Sequence, residues 1–378
     1  MSCTAREYLS GLNNFNRFHS NKEEAWRFSK LNKWLDKEYK NQTSTINKVS
    51  LPINASNKIT IHNGQIDSKE LSDNITVDIK DTKLDSTLNP YLEIIKDINQ
   101  STISLTFESN INTPILIHHT YDEGCVLASS LEIHLEKSLH IDILEYFEGA
   151  KDSFVLHSNT LHVGSKSSLH LSSIQNLDMS AFFLTHTRQT INKHSNLKEF
   201  ILFNGASFHQ HFLESNLYQS STRELNVLIN SKKEQKHLLS TTLTHVEENT
   251  SSFQRAKELL RGSSMALFDA RCIILNGASG SDVRQENRAL LLSKHAHLHA
   301  KPHLEIFTEE LTASHGATVG ELDIEALNYL KSRGIKENKA HKILTDAFVD
   351  DILGTLDNDD YMQVVKGLLE EENNHEKL

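Results

Sequence analysis

The sequence is poor in cysteine and proline and contains no long apolar run. Its three cysteines, Cys3, Cys125 and Cys272, are spread over 378 residues without a C-x-x-C pair. This argues against a disulfide framework and against a metal site built from cysteine alone. Only four prolines occur, so Pro-rich linkers are absent. No apolar stretch approaches the roughly 18 residues of a membrane-spanning helix, and the N-terminus lacks the apolar segment of a signal peptide. The cytosol is therefore the expected location.

Positive charge is also scarce. Lysine and arginine number 39 against 50 aspartates and glutamates, a formal net charge of -11. Because phosphate binding needs a concentrated basic face, binding to nucleic acid or to anionic membranes is not expected. The chain also lacks a G-x-x-x-x-G-K-[ST] loop and a G-x-S-x-G elbow, so we do not expect it to hydrolyse nucleotides itself.

The two internal cysteines show no sign of catalytic chemistry. Cys272 shares the alternation phase of Phe268, Ala270 and Ile274, which predicts a small core residue. Cys125 lies in a more polar stretch and is predicted to be more exposed. Neither belongs to a recognisable Cys/His signature.

Short segments with an apolar residue at every second position dominate the middle of the chain. They recur about every 8 to 15 residues with polar turn residues between them. The clearest are residues 131–135, 139–143, 161–163, 169–171 and 225–229. Such segments predict strands with one face in a core and the other in water. Periodicity alone leaves a sandwich, a barrel and a β-helix open, and no strict repeat length singles out a solenoid.

Both ends of the chain have a different pattern. The first forty residues are predicted to be helical, with a helix-capping box at residues 20–23 (SNKE). The polar stretch 40–101 predicts isolated strands, such as those at residues 59–61 and 75–77. Towards the C-terminus, residues 321–331 predict a helix that stops at Gly334. A second amphipathic stripe runs from Ala340 to Leu353. The predicted organisation is a mixed N-terminal region (1–100), a β-rich core (101–320) and a helical C-terminal region (321–378).

Histidine is abundant, at 22 copies. Most histidines are expected on the solvated outer face of the strands; the examples are His134, His140, His162 and His170. The densest cluster is 295–303, with histidines at 295, 297, 299 and 303. Alternate residues of a strand lie roughly 6.5 to 7 Å apart on one face, so one ion would bridge two of them only if the strand bends. The favoured interpretation is that these histidines are solvent-exposed residues of a strand without a metal, and a metal-binding face is the alternative.

Four segments of the last third resemble, in order and spacing, the SufB/SufD family of SUF iron–sulfur cluster assembly proteins. They are 285–293 (QENRALLLS), 301–306 (KPHLEI), 314–320 (SHGATVG) and 329–335 (YLKSRGI). The resemblance is strong over residues 253–353 and weaker before them. The length and the lack of an internal cysteine-bearing signature favour the SufD branch of that family.

The resemblance implies a mainly β fold, a right-handed parallel β-helix flanked by helical N- and C-terminal regions. It also implies a non-catalytic scaffold subunit that pairs edge to edge with a SufB-type protein and carries a SufC-type ATPase on its C-terminal helices. A homodimer is a further expectation, since exposed strand edges can pair with a second copy. The alternatives are a β-helix metal-binding protein and a carbohydrate-active enzyme, although no cluster of acidic and basic residues supports the latter.

The same resemblance singles out His315 as a ligand for a nascent iron–sulfur cluster or iron at the interface with the SufB-type partner. The position two residues earlier can be cysteine in the family, but here it is Ala313, so the thiolate would come from the partner. No cofactor is expected to bind tightly to the isolated chain. Tyr329 and Arg333 are predicted to anchor the ATPase, because aromatic and arginine side chains dominate binding hot spots.

Overall fold

The computed structural model describes residues 2–10, 31–40, 55–83 and 91–375. Most of these residues form strands, which in chain order are β1 (Ser2–Thr4), β2 (Glu38–Lys40), β3 (Asn57–His62), β4 (Gln65–Glu70), β5 (Ile75–Asp81), β6 (Ser101–Phe107), β7 (Ile115–Tyr121), β8 (Val126–Leu135), β9 (His140–Gly149), β10 (Phe154–Val163), β11 (Ser168–Leu177), β12 (Phe182–Ile191), β13 (Asn196–Phe203), β14 (Phe208–Leu217), β15 (Thr222–Ser231), β16 (Lys236–His245), β17 (Ser251–Leu260), β18 (Met265–Ile274), β19 (Ser281–Leu291), β20 (His297–Ile306) and β21 (Leu311–Gly320). The helices are α1 (Ala5–Ser10), α2 (Leu31–Leu35), α3 (Tyr91–Ile98), α4 (Ile324–Ser332), α5 (Glu337–Leu353) and α6 (Asp359–His375).

From β6 onwards, successive strands alternate between two sheets. One sheet has nine strands in the order β20-β18-β16-β14-β12-β10-β8-β6-β5, and the other has ten in the order β21-β19-β17-β15-β13-β11-β9-β7-β3-β4. The pairs are parallel except β3–β4 and β5–β6 at the N-terminal end. Each turn of the chain thus adds one strand to each sheet, which makes a parallel β-helix of about eight turns. The predicted fold class is confirmed.

The alternating pattern places one set of apolar side chains inside the β-helix. In β8, Leu131, Ile133 and Leu135 are buried, while the residues between them face outwards. Parallel pairing in register repeats this arrangement from turn to turn, so that Leu131 lies beside Ile103 on one side and Asn159 on the other. The interior is therefore a continuous column of stacked side chains.

The turns of the β-helix differ in length. Phe154 pairs with Phe182 and Phe182 with Phe208, steps of 28 and 26 residues, whereas Met265 pairs with His297, 32 residues later. The strands keep nearly constant length and the loops absorb the difference. This is why the sequence shows no strict repeat.

The outer faces of the two sheets are also partly covered. Residues of α1, α2 and α3 pack on the nine-stranded sheet, where the ring of Trp34 lies 5.2 Å from that of Phe182. The last part of α5 and α6 pack on the ten-stranded sheet through Ile352, Tyr361 and Val365. Each sheet therefore has both faces buried over part of its length.

The N-terminal predictions are confirmed in part. The islands at residues 59–61 and 75–77 form β3 and β5, and both strands join the sheets of the β-helix. The capping box at residues 20–23 lies outside the described residues. Among the described helices, none is long and apolar enough to span a membrane.

The two internal cysteines are both buried. Cys272 lies in the interior with Ala270 and Ile274, as predicted, and burial raises the pKa of its thiol to about 12. The prediction for Cys125 was wrong, because it is fully buried beside Leu127. The turn before it is hydrogen-bonded to the next turn of the chain, where the Gly124 N–H donates to the Lys151 carbonyl oxygen at 2.8 Å, and local polarity does not reveal this contact.

Candidate functional site

The C-terminal end of the β-helix is open. Strands β20 and β21 stand last in the two sheets, and nearly every residue of β21 is exposed. A terminal strand presents unpaired backbone N–H and C=O groups, which makes it a template for pairing with another chain. Large apolar side chains in this strand or in the segments just before and after it are also exposed to solvent; they are Ile306, Phe307, Val319 and Ile324.

His315 lies in the middle of β21 and is exposed. Its backbone pairs with Gln285 of β19, and Ala313 pairs with Val283. Val283 and Gln285 are buried inside the β-helix, and Gln285 donates a hydrogen bond to the carbonyl oxygen of Ala270 at 3.0 Å. Because alternate residues share a face, His315 continues this interior column at the open mouth of the β-helix.

The histidines of the 295–303 cluster do not join His315. His297, His299 and His303 alternate with Leu298 and Leu304, which pack against the interior core. They therefore lie on the outer face of the nine-stranded sheet, and His303 pairs there with Asp269 (Nε2–Oδ1 3.5 Å). Within the described part of the chain, no three metal-ligating side chains converge at this cluster.

Of the two predicted ATPase-binding residues, Tyr329 belongs to α4 and Arg333 is the C-cap residue directly after it. No residue of α4 is buried, and Tyr329 is 57% exposed. The guanidinium of Arg333 lies 5.1 Å from the centre of the Tyr329 ring, so the two side chains form one surface feature. At the first half of α5, Ile343 is also exposed, whereas Ile352 and Leu353 anchor the second half on the β-helix.

The expectation that most histidines lie on the outer face was wrong for a large group of them. His134, His140, His162 and His170 are at least partly exposed as predicted. Eight others are buried: His118, His119, His157, His186, His209, His211, His237 and His245. Six of these, all except His118 and His186, occupy strand positions whose side chains face the interior of the β-helix. The sequence did contain a signal for this, because His157 lies an even number of positions from Val155 and Leu161 and so shares their face, which is the interior one.

Burial changes the acid–base behaviour of these interior imidazoles. It lowers the pKa of His211 to about 3 and the pKa values of His237 and His245 to about 4. His237 is hydrogen-bonded at both ring nitrogens, to the Ser231 hydroxyl and to the Gly205 carbonyl oxygen, each at 2.7 Å. These side chains are therefore neutral members of a polar interior.

The structure is thus a parallel β-helix with an exposed, histidine-bearing terminal strand and helices beyond it. The family model described as SUF system FeS cluster assembly, SufBD core domain, matches residues 118–348, more than half of the chain. The chain therefore belongs to the SufB/SufD family, which confirms the resemblance found in its sequence.

Individual relatives agree with the SufD branch. The chain is 31% identical over 147 residues to the iron–sulfur cluster assembly protein SufD of Escherichia coli, covering 39% of this chain and 35% of that protein. It is 29% identical over 143 residues to SufD of Bacillus subtilis, covering 38% and 33%. The matched part thus spans about a third of the length of these curated relatives.

Proposed function

We propose that this chain is a cytosolic, non-catalytic scaffold subunit of a SufB–SufC–SufD complex that assembles iron–sulfur clusters. The observation that carries this proposal is the exposed terminal strand β21 with His315 at its centre. An edge strand of ten residues with apolar neighbours in solvent is costly to leave uncovered. A SufB-type β-helix, which would offer a similar edge, is the partner that fits this surface.

His315 would serve the nascent cluster or iron, which is the cargo of the complex. A neutral imidazole is a suitable ligand for iron, and the exposed ring can reach a partner's side chains. Since Ala313 supplies no thiolate, the partner would provide the sulfur ligand. This chain would then contribute one nitrogen ligand to a site shared across the interface.

The C-terminal helices would bind the SufC-type ATPase. Helix α4 has no buried residue, so its packing is incomplete in the isolated chain. The Tyr329–Arg333 pair has the composition of a binding hot spot. Helix α4 contacts α5, and the second half of α5 packs on the β-helix.

Co-expression with the SufB-type and SufC-type proteins of the same cell tests the assembly. Size-exclusion chromatography with light scattering should show one SufB, one copy of this chain and two SufC. The double variant Tyr329→Ala/Arg333→Ala is expected to weaken ATPase binding by at least about 30-fold, which corresponds to a hot-spot loss of about 2 kcal/mol. Ile79→Ala, an exposed apolar residue at the opposite end of the β-helix, is the matched control.

Two results would contradict this assignment. If the chain elutes alone in the presence of both partners, it is not a subunit of such a complex. If the double variant binds the ATPase as the wild type does, the docking surface lies elsewhere. Light scattering of the chain alone shows at the same time whether the β21 edge pairs with a second copy.

His315→Ala is expected to leave folding and complex formation intact and to lower the yield of assembled cluster by about tenfold or more. The reason is that even an indirect partner of a metal ligand contributes 10- to 100-fold to metal affinity, and a direct ligand contributes at least as much. Cluster yield is read from the visible absorption and the iron and sulfide content of the reconstituted complex. His297→Ala, exposed on the outer face of β20, is the control, and equal yields from both variants would remove His315 from the site.

A further inference from the structure

Three side chains with metal-binding atoms converge inside the first turns of the β-helix, far from His315. They are His119 of β7, Glu145 of β9 and His157 of β10. Their exposures are 0%, 3% and 2%. The ligand atoms of the three all lie within 4.8 Å of one another. Within the described residues, this is the one group of its kind.

The distances suit a single small cation. The Nε2 atom of His119 lies 3.0 Å from Oε1 of Glu145, and Nε2 of His157 lies 3.8 Å from the same oxygen. Ligands at about 2.0 to 2.2 Å from a tetrahedral ion are about 3.3 to 3.6 Å apart. The two observed spacings lie on either side of that range, so small side-chain shifts would complete the geometry.

The surrounding groups orient the ligands towards a common point. Nδ1 of His157 is hydrogen-bonded to the Ser129 hydroxyl at 2.7 Å, which leaves Nε2 facing Glu145. The far carboxylate oxygen of Glu145, Oε2, lies 3.5 Å from donors of Asn159 and Ser173. Such partners behind the ligands are typical of metal sites, where they fix ring tautomers and carboxylate orientation.

Hydrogen bonding alone does not account for the cluster. Nε2 of His157 is buried without a hydrogen-bond partner, and its 3.8 Å separation from Glu145 is too long for a hydrogen bond. The side-chain oxygen of Asn159 is buried without a partner as well. An unsatisfied buried polar atom costs about 1 to 3 kcal/mol, and each such atom in a native fold needs an explanation. A cation between His157 and Glu145 would remove the cost at the imidazole.

The protonation states agree with this geometry. Burial lowers the pKa of His119 and of His157 to about 3, so both rings are neutral, which is the form that ligates a metal. Burial also raises the pKa of Glu145. A bound cation would supply the opposite charge that a buried carboxylate requires.

We propose that His119, Glu145 and His157 form a binding site for one divalent first-row transition-metal ion, such as zinc or iron(II). Two imidazoles and one carboxylate suit these ions, whereas calcium and magnesium prefer oxygen ligands alone. Since the site is closed to solvent, the ion enters as the chain folds and exchanges slowly afterwards. It joins three strands of the first turns and so stabilises the N-terminal half of the β-helix. This role is separate from the cluster chemistry at β21, and it departs from the expectation that the isolated chain binds no metal tightly.

The test uses the full chain with a tag free of histidine, produced in zinc-supplemented medium, washed with EDTA and analysed by plasma mass spectrometry. The wild type should retain about one zinc per chain, and His157→Gln and Glu145→Gln should lose it. The control is His162→Gln, which lies on the same strand β10 but faces outwards. A second control, His297→Gln/His299→Gln, removes part of the exposed cluster and should retain the zinc.

Cobalt gives a readout that does not depend on the variants folding. Wild-type protein produced with cobalt(II) should show the visible d–d absorption of a tetrahedral site, and EDTA should remove it only slowly. Wild-type protein that holds no zinc after the wash and shows no cobalt absorption overturns the proposal. Metal that is lost only from the His297→Gln/His299→Gln variant also overturns it, because the ion would then belong to the surface.

Discussion

Replacing Arg223 with methionine is expected to lower the free energy of unfolding by about 3 to 5 kcal/mol, the usual effect of breaking a buried ion pair. Arg223 of β15 is among the largest fully buried side chains. Its guanidinium donates to the carboxylate of Glu199 and, through Nε, to Oε1 of Gln189 at 3.0 Å. Without Arg223, the Glu199 carboxylate would remain in the interior without a countercharge.

The physical reason for this effect is the desolvation of Glu199. Burial raises the pKa of Glu199, and Arg223 acts against that rise. Gln189 also donates to the carboxylate at 2.9 Å. The double variant Arg223→Met/Glu199→Gln removes both charges and keeps an acceptor for Gln189, so it should recover most of the lost stability.

Urea unfolding at pH 7 measures the three proteins. The matched control is Arg284→Met, which removes an exposed pair with Asp282 (Nη2–Oδ2 2.9 Å) and should cost no more than about 1 kcal/mol. If Arg223→Met costs no more than this control, the interior pair is not the strong constraint that its burial indicates.

Lowering the pH from 6 to 4.5 is expected to destabilise the metal-free chain, with a contribution of up to about 1.4 kcal/mol per pH unit from each buried histidine that stays neutral. In the folded state, burial lowers the pKa of six interior histidines below the ordinary value of 6.5: His119, His157, His209, His211, His237 and His245. It also lowers the pKa values of the half-exposed His162 and His170. Below pH 6.5 the unfolded chain binds these protons and the folded chain does not. The stability that these histidines contribute is therefore fully present above pH 6.5 and is lost as the pH falls.

Buried carboxyl groups oppose this loss. Burial raises the pKa of Glu258 to about 8 and that of Asp142 to about 6, and it raises the pKa values of Glu145 and Glu199. These groups bind protons in the folded state first, so they favour folding as the pH falls. More histidines than carboxyl groups are shifted in this way, so the net effect of acid is destabilising, and each proton contributes at most about 1.4 kcal/mol per pH unit.

Urea unfolding between pH 7 and pH 4.5 gives the slope. His237→Gln should lower stability at pH 7, because it disturbs two hydrogen bonds, but should flatten the slope by about 1.4 kcal/mol per pH unit. His140→Gln, in an exposed position on β9, is the control. A wild-type stability that stays constant from pH 7 to pH 5 would show that water reaches the interior imidazoles.

Much of the fold could be predicted because it depends on local patterns. The alternation in residues 131–135 and 225–229 marks strands β8 and β15, since a half-buried strand requires period two. Gly334, with a φ of 83°, follows the end of α4, as its position after a helical pattern indicates. The four ordered segments between residues 285 and 335 were specific enough to identify the family.

For the candidate site at β21, the sequence predicted which residue is involved but not that its strand is exposed. The motif around residue 315 singled out His315, but the sequence did not show that β21 is the last strand of its sheet. Exposure of that edge depends on which strands follow, and here a helix follows. The sequence therefore named the residue, and the end of the sheet makes it accessible.

The sequence by itself determined the main strands of the core, the C-terminal helices and the family, because each depends on residues close together in the chain or on ordered motifs. Only the tertiary structure decided which faces of the strands are covered. This is why the burial of Cys125 and of eight histidines was not predicted. It alone placed His119, Glu145 and His157 together, because loops of unequal length set which residues of successive turns become neighbours. An alternating sequence pattern shows which residues share a face of a strand. The packing of whole turns decides which other residues that face contacts.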